Sequence, residues 1–108
     1  MLSIKKKING AWYNTVEAEP LGEYWTTEVP RFDLDYLREG LYRQHGRLFL
    51  AGESGARMKY AKNAEGGGKV GGEGLFLVTY QEARAWVESL PEKERPAAQM
   101  NLDQFLII

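Results

Sequence analysis

The residues that come nearest to a known chemical motif lie in a glycine-rich stretch, residues 64–74. Gly66, Gly68 and Gly71 have the spacing of a dinucleotide-binding fingerprint, and Gly68 with Lys69 matches part of a phosphate-binding loop. The fingerprint must follow a strand and open a helix, whereas this stretch precedes an apolar strand. A phosphate-binding loop also needs Ser or Thr after its lysine, and Val70 stands there. We therefore expect a mobile loop, or a flap over a ligand, rather than a nucleotide site.

Other catalytic and metal-binding chemistry finds little support. The chain has one histidine, His45, and no cysteine, which excludes His-rich and thiolate metal sites and cysteine nucleophiles. No nucleophile-elbow sequence is present, and the acids lack the spacing typical of paired catalytic carboxylates or metal ligation. We expect no catalytic residue, no metal and no cofactor, and we favour a binding protein over an enzyme.

Charge is unevenly distributed along the chain, although the formal net charge is only -1. Residues 17–39 hold seven acids against two arginines, whereas residues 40–62 hold five basic residues against one acid. Lys5, Lys6 and Lys7 add a basic cluster to an N-terminal segment without acids. Either the two segments neutralise each other as neighbours in the fold, or they form a polarised surface that selects a partner.

The elements that must position these residues indicate one α+β domain spanning residues 1–108. Asn9-Gly10 and His45-Gly46 predict hairpins over 4–16 and 41–51, because such pairs supply the positive φ angles of tight hairpin turns. Two-residue closure sets the registers: Ile8 opposite Ala11 in the first hairpin, and Leu41 opposite Leu50 with Tyr42 opposite Phe49 in the second. Further strands are predicted near 23–29 and 75–78. Thr79 and Glu82 form a capping-box pattern that opens a helix over 80–90. The sheet is expected to be small and antiparallel and to pack against this helix.

Two short segments and the C-terminal end are harder to assign. Residues 33–40 fit a short helix slightly better than a strand, and residues 56–62 fit a second short helix. The apolar tail, residues 100–108, is expected to add a strand to its own sheet or to reach a second subunit, and we favour a homodimer. No export signal or membrane-length apolar stretch is apparent, so the expected location is the cytoplasm, away from membranes.

Charged and aromatic residues around the second hairpin are the candidate contacts for a ligand or partner. They offer charge together with aromatic area. They are Tyr42, Arg43, Arg47, Glu53, Arg57 and Tyr60. Trp12 is expected to be exposed for contact on the first hairpin, with Lys7 against its ring, whereas Trp86 is expected to lie in the core.

A set of residues between positions 40 and 90 resembles a pattern of small uncharacterised bacterial proteins. These residues are Leu41-Tyr42-Arg43, Gly46, Phe49-Leu50, Gly52-Glu53-Ser54-Gly55, Tyr60, Gly71-Gly72-Glu73-Gly74 and the capped helix. Such proteins look like products of accessory genes on mobile elements, including plasmids, prophages and integron cassettes. The resemblance implies a bacterial setting rather than a reaction.

Three functions remain open at this point. The leading hypothesis is a non-enzymatic module that binds a protein partner or small ligand near the second hairpin and the glycine-rich loop. The first alternative is a nucleic-acid-binding or RNA-cleaving toxin, in which basic residues hold phosphates and tyrosines stack on bases. The second is an acidic inhibitor of a DNA-binding enzyme, which requires the acids of residues 17–39 to share one face.

Overall fold

The computed structural model describes residues 2–26 and 28–105, and it has the predicted α+β fold. In this described part of the chain, eight strands precede two helices. The strands are β1 (Lys5–Ile8), β2 (Ala11–Asn14), β3 (Glu19–Trp25), β4 (Leu37–Gln44), β5 (Arg47–Ser54), β6 (Lys62–Asn63), β7 (Lys69–Val70) and β8 (Gly72–Val78), and the helices are α1 (Tyr80–Glu88) and α2 (Arg95–Phe105). Within these residues, no helix is long and apolar enough to cross a membrane.

A four-stranded antiparallel sheet in the order β3-β4-β5-β8 forms the centre of the molecule. The β4–β5 hairpin has the predicted register, with Leu41 opposite Leu50 and Tyr42 opposite Phe49. Its turn residues, His45 and Gly46, have φ angles of 54° and 72°, as a two-residue turn of this type requires. The strands β1 and β2 form a separate hairpin, also in the predicted register, and β6 pairs with β7.

The two sides of this sheet are covered by different elements. Because side chains alternate along a strand, Leu41 and Leu50 face the helices, while Tyr42 and Phe49 face the opposite way. We call the first side the helix face and the second the hairpin face. On the helix face the core also includes Leu21, Leu48, Ala83, Trp86, Val87, Leu90, Ala98 and Leu102. On the hairpin face it includes Leu2, Ile4, Tyr13, Ala18, Ala51 and Leu75.

The helix α1 begins with the predicted capping box. The Thr79 side chain accepts a hydrogen bond from the Glu82 backbone N–H, and the Glu82 carboxylate accepts one from the Thr79 N–H. Trp86 on this helix is buried, as predicted. The second helix, α2, was not predicted. Ala98 and Leu102 lie one turn apart on it and are both buried, a spacing typical of an amphipathic helix. The prediction of an apolar tail over residues 100–108 did not take this spacing into account.

Both predicted short helices are wrong. Residues 33–40 contain a turn followed by the start of β4, because the Asp33 carboxylate accepts from the Asp35 N–H and so closes a turn instead of capping a helix. Pairing of β4 with β5 over their whole length then outweighs local helix preference. Residues 56–60 form turns, and Lys62 already belongs to β6. The strand predicted at 23–29 instead spans Glu19–Trp25.

The glycine-rich stretch forms the turn between β6 and β7, the strand β7 and the start of β8. Its first part forms the turn between β6 and β7, in which Gly66, Gly67 and Gly68 all have positive φ. Its last part, Gly72 and Gly74, belongs to β8. The mobility predicted for residues 64–74 stays a prediction. The tail predicted to form a strand is helical as far as Phe105, and residues 106–108 lie outside the described residues.

Candidate functional site

A groove lies where the end of β3 meets the linker between α1 and α2. It consists of two connected depressions that share Tyr24 and Pro91 in their walls. The inner depression has a volume of about 370 Å³ and reaches Glu39 and Trp86 on the helix face. The outer depression has a volume of about 670 Å³ and extends along residues 23–26, 28 and 29 to the linker residues 93 and 94. Volumes of this size can hold a small ligand or several side chains of a partner.

A buried carboxylate, that of Glu39, forms the inner end of the groove. Its side chain is only 7% exposed, and three donors surround it. The Trp86 Nε1 donates to Oε1 at 2.7 Å, and the Tyr60 hydroxyl donates to Oε2 at 2.8 Å. The Lys59 ammonium lies 3.0 Å from the same Oε2 and supplies the compensating charge. Glu39 therefore ties β4 to α1 and to the turn before β6.

Close approach of Tyr60 to the sheet is what allows this arrangement. A Cβ atom at Gly52 would lie 2.5 Å from the Tyr60 ring, so only glycine leaves room for it. Burial and the adjacent negative charge of Glu39 raise the pKa of Tyr60 well above its usual range. Burial likewise raises the pKa of Tyr42 to about 12. Both hydroxyls stay protonated at neutral pH, so neither tyrosine is a ready base or nucleophile.

Aromatic and acidic side chains line the outer depression. Tyr24 and Trp25 supply its aromatic surface, and the Trp25 side chain remains 47% exposed although the Arg38 guanidinium lies 5.3 Å from its ring centre. The acids are Glu23, Glu28, Asp35 and Glu94, against the single base Lys93. Glu23 pairs with Arg38 and Asp35 with Arg57. Within residues 2–26 and 28–105, Glu28 and Glu94 have no ion-pair partner.

The residues proposed as contacts from the sequence do not form one surface. Tyr42 lies on the hairpin face, 95% buried and stacked on Phe49 at 5.2 Å between ring centres. Tyr60 lies on the helix face, where it joins Glu39. The four charged residues have separate positions: Arg43 pairs with Glu19, Glu53 with Arg31 and Arg57 with Asp35, while Arg47 is exposed beside the hairpin turn.

These ion pairs support the first of the two interpretations of the charge pattern, for part of the two segments. Arg43, Arg57 and Lys59 of the basic segment each pair with an acid of residues 17–39. The first interpretation, neutralisation between neighbours, is therefore confirmed for these pairs. It leaves few cations of the basic segment for an external phosphate.

The first hairpin exposes the aromatic residue that the sequence singled out. Trp12 is 55% exposed, as predicted. The cation beside its ring is Lys5, whose Nζ lies 5.4 Å from the ring centre, and not Lys7. Lys7 lies directly opposite Trp12 in the strand register, and Lys5 reaches the ring from the diagonal position.

Glu39 is the functional candidate that sequence reasoning missed. The signal was present, because Leu37, Glu39 and Leu41 alternate along a strand and so place a carboxylate between two apolar side chains on one face. The interpretation of residues 33–40 as a helix hid this pattern. Among the described residues, no group of three His, Cys, Asp or Glu side chains is placed to hold a metal ion.

Comparison with known proteins does not add a family to this description. No protein-family model, curated protein or solved structure matches this chain.

Proposed function

We propose that this protein is a non-enzymatic binding module whose groove holds a positively charged segment of a protein partner. The observation that carries the proposal is the outer depression of about 670 Å³, in which the exposed Trp25 lies beside acids that lack ion-pair partners within the described residues. Lysine and arginine side chains suit such a surface, since their stems pack on aromatic rings while their charged ends meet carboxylates. The sequence also led us to expect a binding protein, but with its contacts near the second hairpin and the glycine-rich stretch and not in the groove.

The groove is a better candidate than the second hairpin and the glycine-rich turn. It is an open depression of about 670 Å³ with aromatic and acidic walls, whereas the residues proposed around the hairpin are divided between the two faces of the sheet or engaged in ion pairs. The partner's charge follows from the lining, in which Glu28 and Glu94 have no ion-pair partner within the described residues, whereas Glu23 and Asp35 are paired with arginines. A cationic segment would be attracted to it, and the attraction would weaken with salt.

The two alternative functions find less support. Binding of nucleic acid would rely on the cations of residues 40–62 and on Lys5–Lys7. Of the first group, Arg43, Arg57 and Lys59 already pair with acids, which leaves mainly the exposed lysines of β1. Acidic mimicry of nucleic acid would need the acids to share one face. Of the seven acids in residues 17–39, only Glu23, Glu28 and Asp35 line the outer depression, whereas Glu39 is buried and Glu19 pairs with Arg43. The resemblance to accessory proteins of mobile elements remains a proposed setting for the module.

The test uses short labelled peptides as probes. Peptides with two or three lysines or arginines around an aromatic residue are compared with peptides of reversed charge, by fluorescence anisotropy at low and moderate salt. We expect saturable binding of the cationic peptides only. The double variant Glu28→Lys, Glu94→Lys should abolish it, because it reverses the two groove acids that have no ion-pair partner within the described residues.

A matched control separates the groove from overall charge. The variant Glu17→Lys, Glu65→Lys makes the same change in net charge at two exposed acids that do not line the groove. It should reduce binding only by the general electrostatic effect, which salt screens. Equal losses in the two double variants, or no binding of any cationic peptide to the unaltered protein, would refute the proposed site.

A further inference from the structure

The two edges of the central sheet differ in how they are protected. On the β3 edge, α2 packs closely: a Cβ at Gly22 would lie 3.0 Å from the Cβ of Ala98. The Asn101 side chain also donates a hydrogen bond of 2.9 Å to the Leu21 carbonyl oxygen. At the opposite edge, Tyr60 and Lys62 pack on Gly72 and Gly74 of β8, but among residues 2–26 and 28–105 no side chain hydrogen-bonds to the β8 backbone. Its backbone hydrogen-bonds in this part of the chain only to β5.

The sequence of β8 makes this edge unusually receptive. The strand runs for seven residues and ends in Leu75-Phe76-Leu77-Val78, with no charge after Glu73. Phe76 is 38% exposed although it belongs to the apolar run. Natural sheets normally protect an edge with charges, proline, a bulge or a covering element, and a long apolar edge without them pairs readily with another strand. Such pairing supplies partners for the unpaired backbone groups.

We infer that β8 is a self-association edge, at which β8 of a second copy of this chain adds in antiparallel orientation and joins two sheets into one of eight strands. A second copy fits because the apolar run itself carries no charge, and Lys59, the cation beside Phe76, is already paired with Glu39. Directly opposed residues of an antiparallel pair have their side chains on the same face of the sheet. The two-fold axis that relates the two copies must therefore pass beside one residue of β8, which then lies opposite the same residue of the second copy. This requirement restricts the register to a few choices.

An axis at Phe76 gives the best match of side chains. It places Phe76 against its own copy and Leu75 against Leu77 of the second copy, so that apolar residues meet on both faces. An axis at Leu75 would instead set Glu73 against Leu77, which desolvates a carboxylate beside an apolar side chain. Lys59, whose Nζ lies 5.3 Å from the Phe76 ring centre, would then flank the paired rings.

Because the chain lacks cysteine, single-cysteine variants test this register directly. Under mild oxidation, Phe76→Cys should form a disulfide-linked dimer, because its Cα would lie within about 5.5 Å of its own copy. Leu77→Cys should not, because its copy would be displaced along the strand beyond the reach of a disulfide, about 7 Å. Val16→Cys, at an exposed apolar position on the first hairpin, controls for random collision.

Solution mass provides the second measurement. Light scattering should give twice the chain mass of 12.3 kDa for the unaltered protein and a single chain mass for Phe76→Lys, which places like charges opposite each other. Phe32→Lys, at a residue that is 90% exposed and outside the sheet, should remain dimeric. Circular dichroism of each variant shows that it is folded. A monomeric unaltered protein, or cross-linking of Val16→Cys or Leu77→Cys as fast as that of Phe76→Cys, would overturn the inference.

Discussion

Replacing Glu39 by alanine should lower the free energy of unfolding more than replacing Glu19, an exposed strand glutamate that also forms an ion pair. The substitution leaves the Trp86 Nε1–H and the Tyr60 hydroxyl without their acceptor, at a place where the carboxylate is 7% exposed. A buried donor without a partner costs about 1–3 kcal/mol, so two of them cost roughly 2–6 kcal/mol. The inner depression of about 370 Å³ borders the site and can admit water, which favours the lower half of this range.

Urea unfolding followed by circular dichroism measures this loss. We expect a lower midpoint with an unchanged dependence on urea, which is the signature of a change in stability alone. Glu19→Ala is the matched control, since Glu19 is also a strand glutamate in an ion pair but its side chain is 51% exposed. An exposed pair contributes only about 0–1 kcal/mol.

A double variant tests the assignment of the loss to orphaned donors. Tyr60→Phe removes one of the two hydroxyl or N–H groups that Glu39→Ala leaves unpaired. The free-energy cost of the double variant should therefore be clearly smaller than the sum of the two single costs. If the costs simply add, or if Glu39→Ala costs no more than Glu19→Ala, the account of Glu39 as the central acceptor is refuted.

Two further predictions concern tyrosine ionisation and the packing of Tyr60. The raised pKa of Tyr42, about 12, and that of Tyr60 mean that the native state keeps protons that unfolded tyrosines release near pH 10. The free energy of unfolding should therefore be intact below about pH 10 and fall above it by about 1.4 kcal/mol per pH unit for each tyrosine. In Tyr42→Phe, the urea midpoint should fall less steeply with rising pH than in the unaltered protein. An unchanged pH dependence of the midpoint would contradict this. Gly52→Ala should lower the melting temperature through a loss of about 1–3 kcal/mol, because its Cβ would meet the Tyr60 ring at 2.5 Å. Gly74→Ala, with a Cβ 3.1 Å from the same ring, should cost less, and the reverse order would contradict the packing described.

The sequence predicted those elements whose local chemistry determines them. Positive-φ turn residues identified both hairpins and their registers, and Thr79 with Glu82 identified the start of α1. It failed where tertiary pairing outweighed local preference. The segment from Asp33 contains capping and apolar signals for a helix, but the strand partner that decides its structure is β5.

The candidate groove was harder to predict than the strands, for a physical reason. The walls of its outer part come from residues 23–26, 28 and 29 and from residues 91, 93 and 94, which are distant in sequence, and no local pattern indicates that they will meet. Only Glu39 carried a signal of its own, as a carboxylate at an inward strand position. Recognising that signal required the assignment of Leu37–Gln44 to a strand, so one wrong element concealed the residue at the inner end of the groove.

The doubly covered β4–β5 hairpin has a consequence for how the molecule unfolds. Leu41 and Leu50 belong to one hydrophobic core, and Tyr42 and Phe49 belong to the other, although they alternate along the same two strands. Detaching the helices would expose one side of these strands to water and weaken the pairing of β4 with β5, on whose other side the first hairpin packs. The two cores therefore cannot behave as independent units of stability, and the chain should lose both in a single cooperative transition.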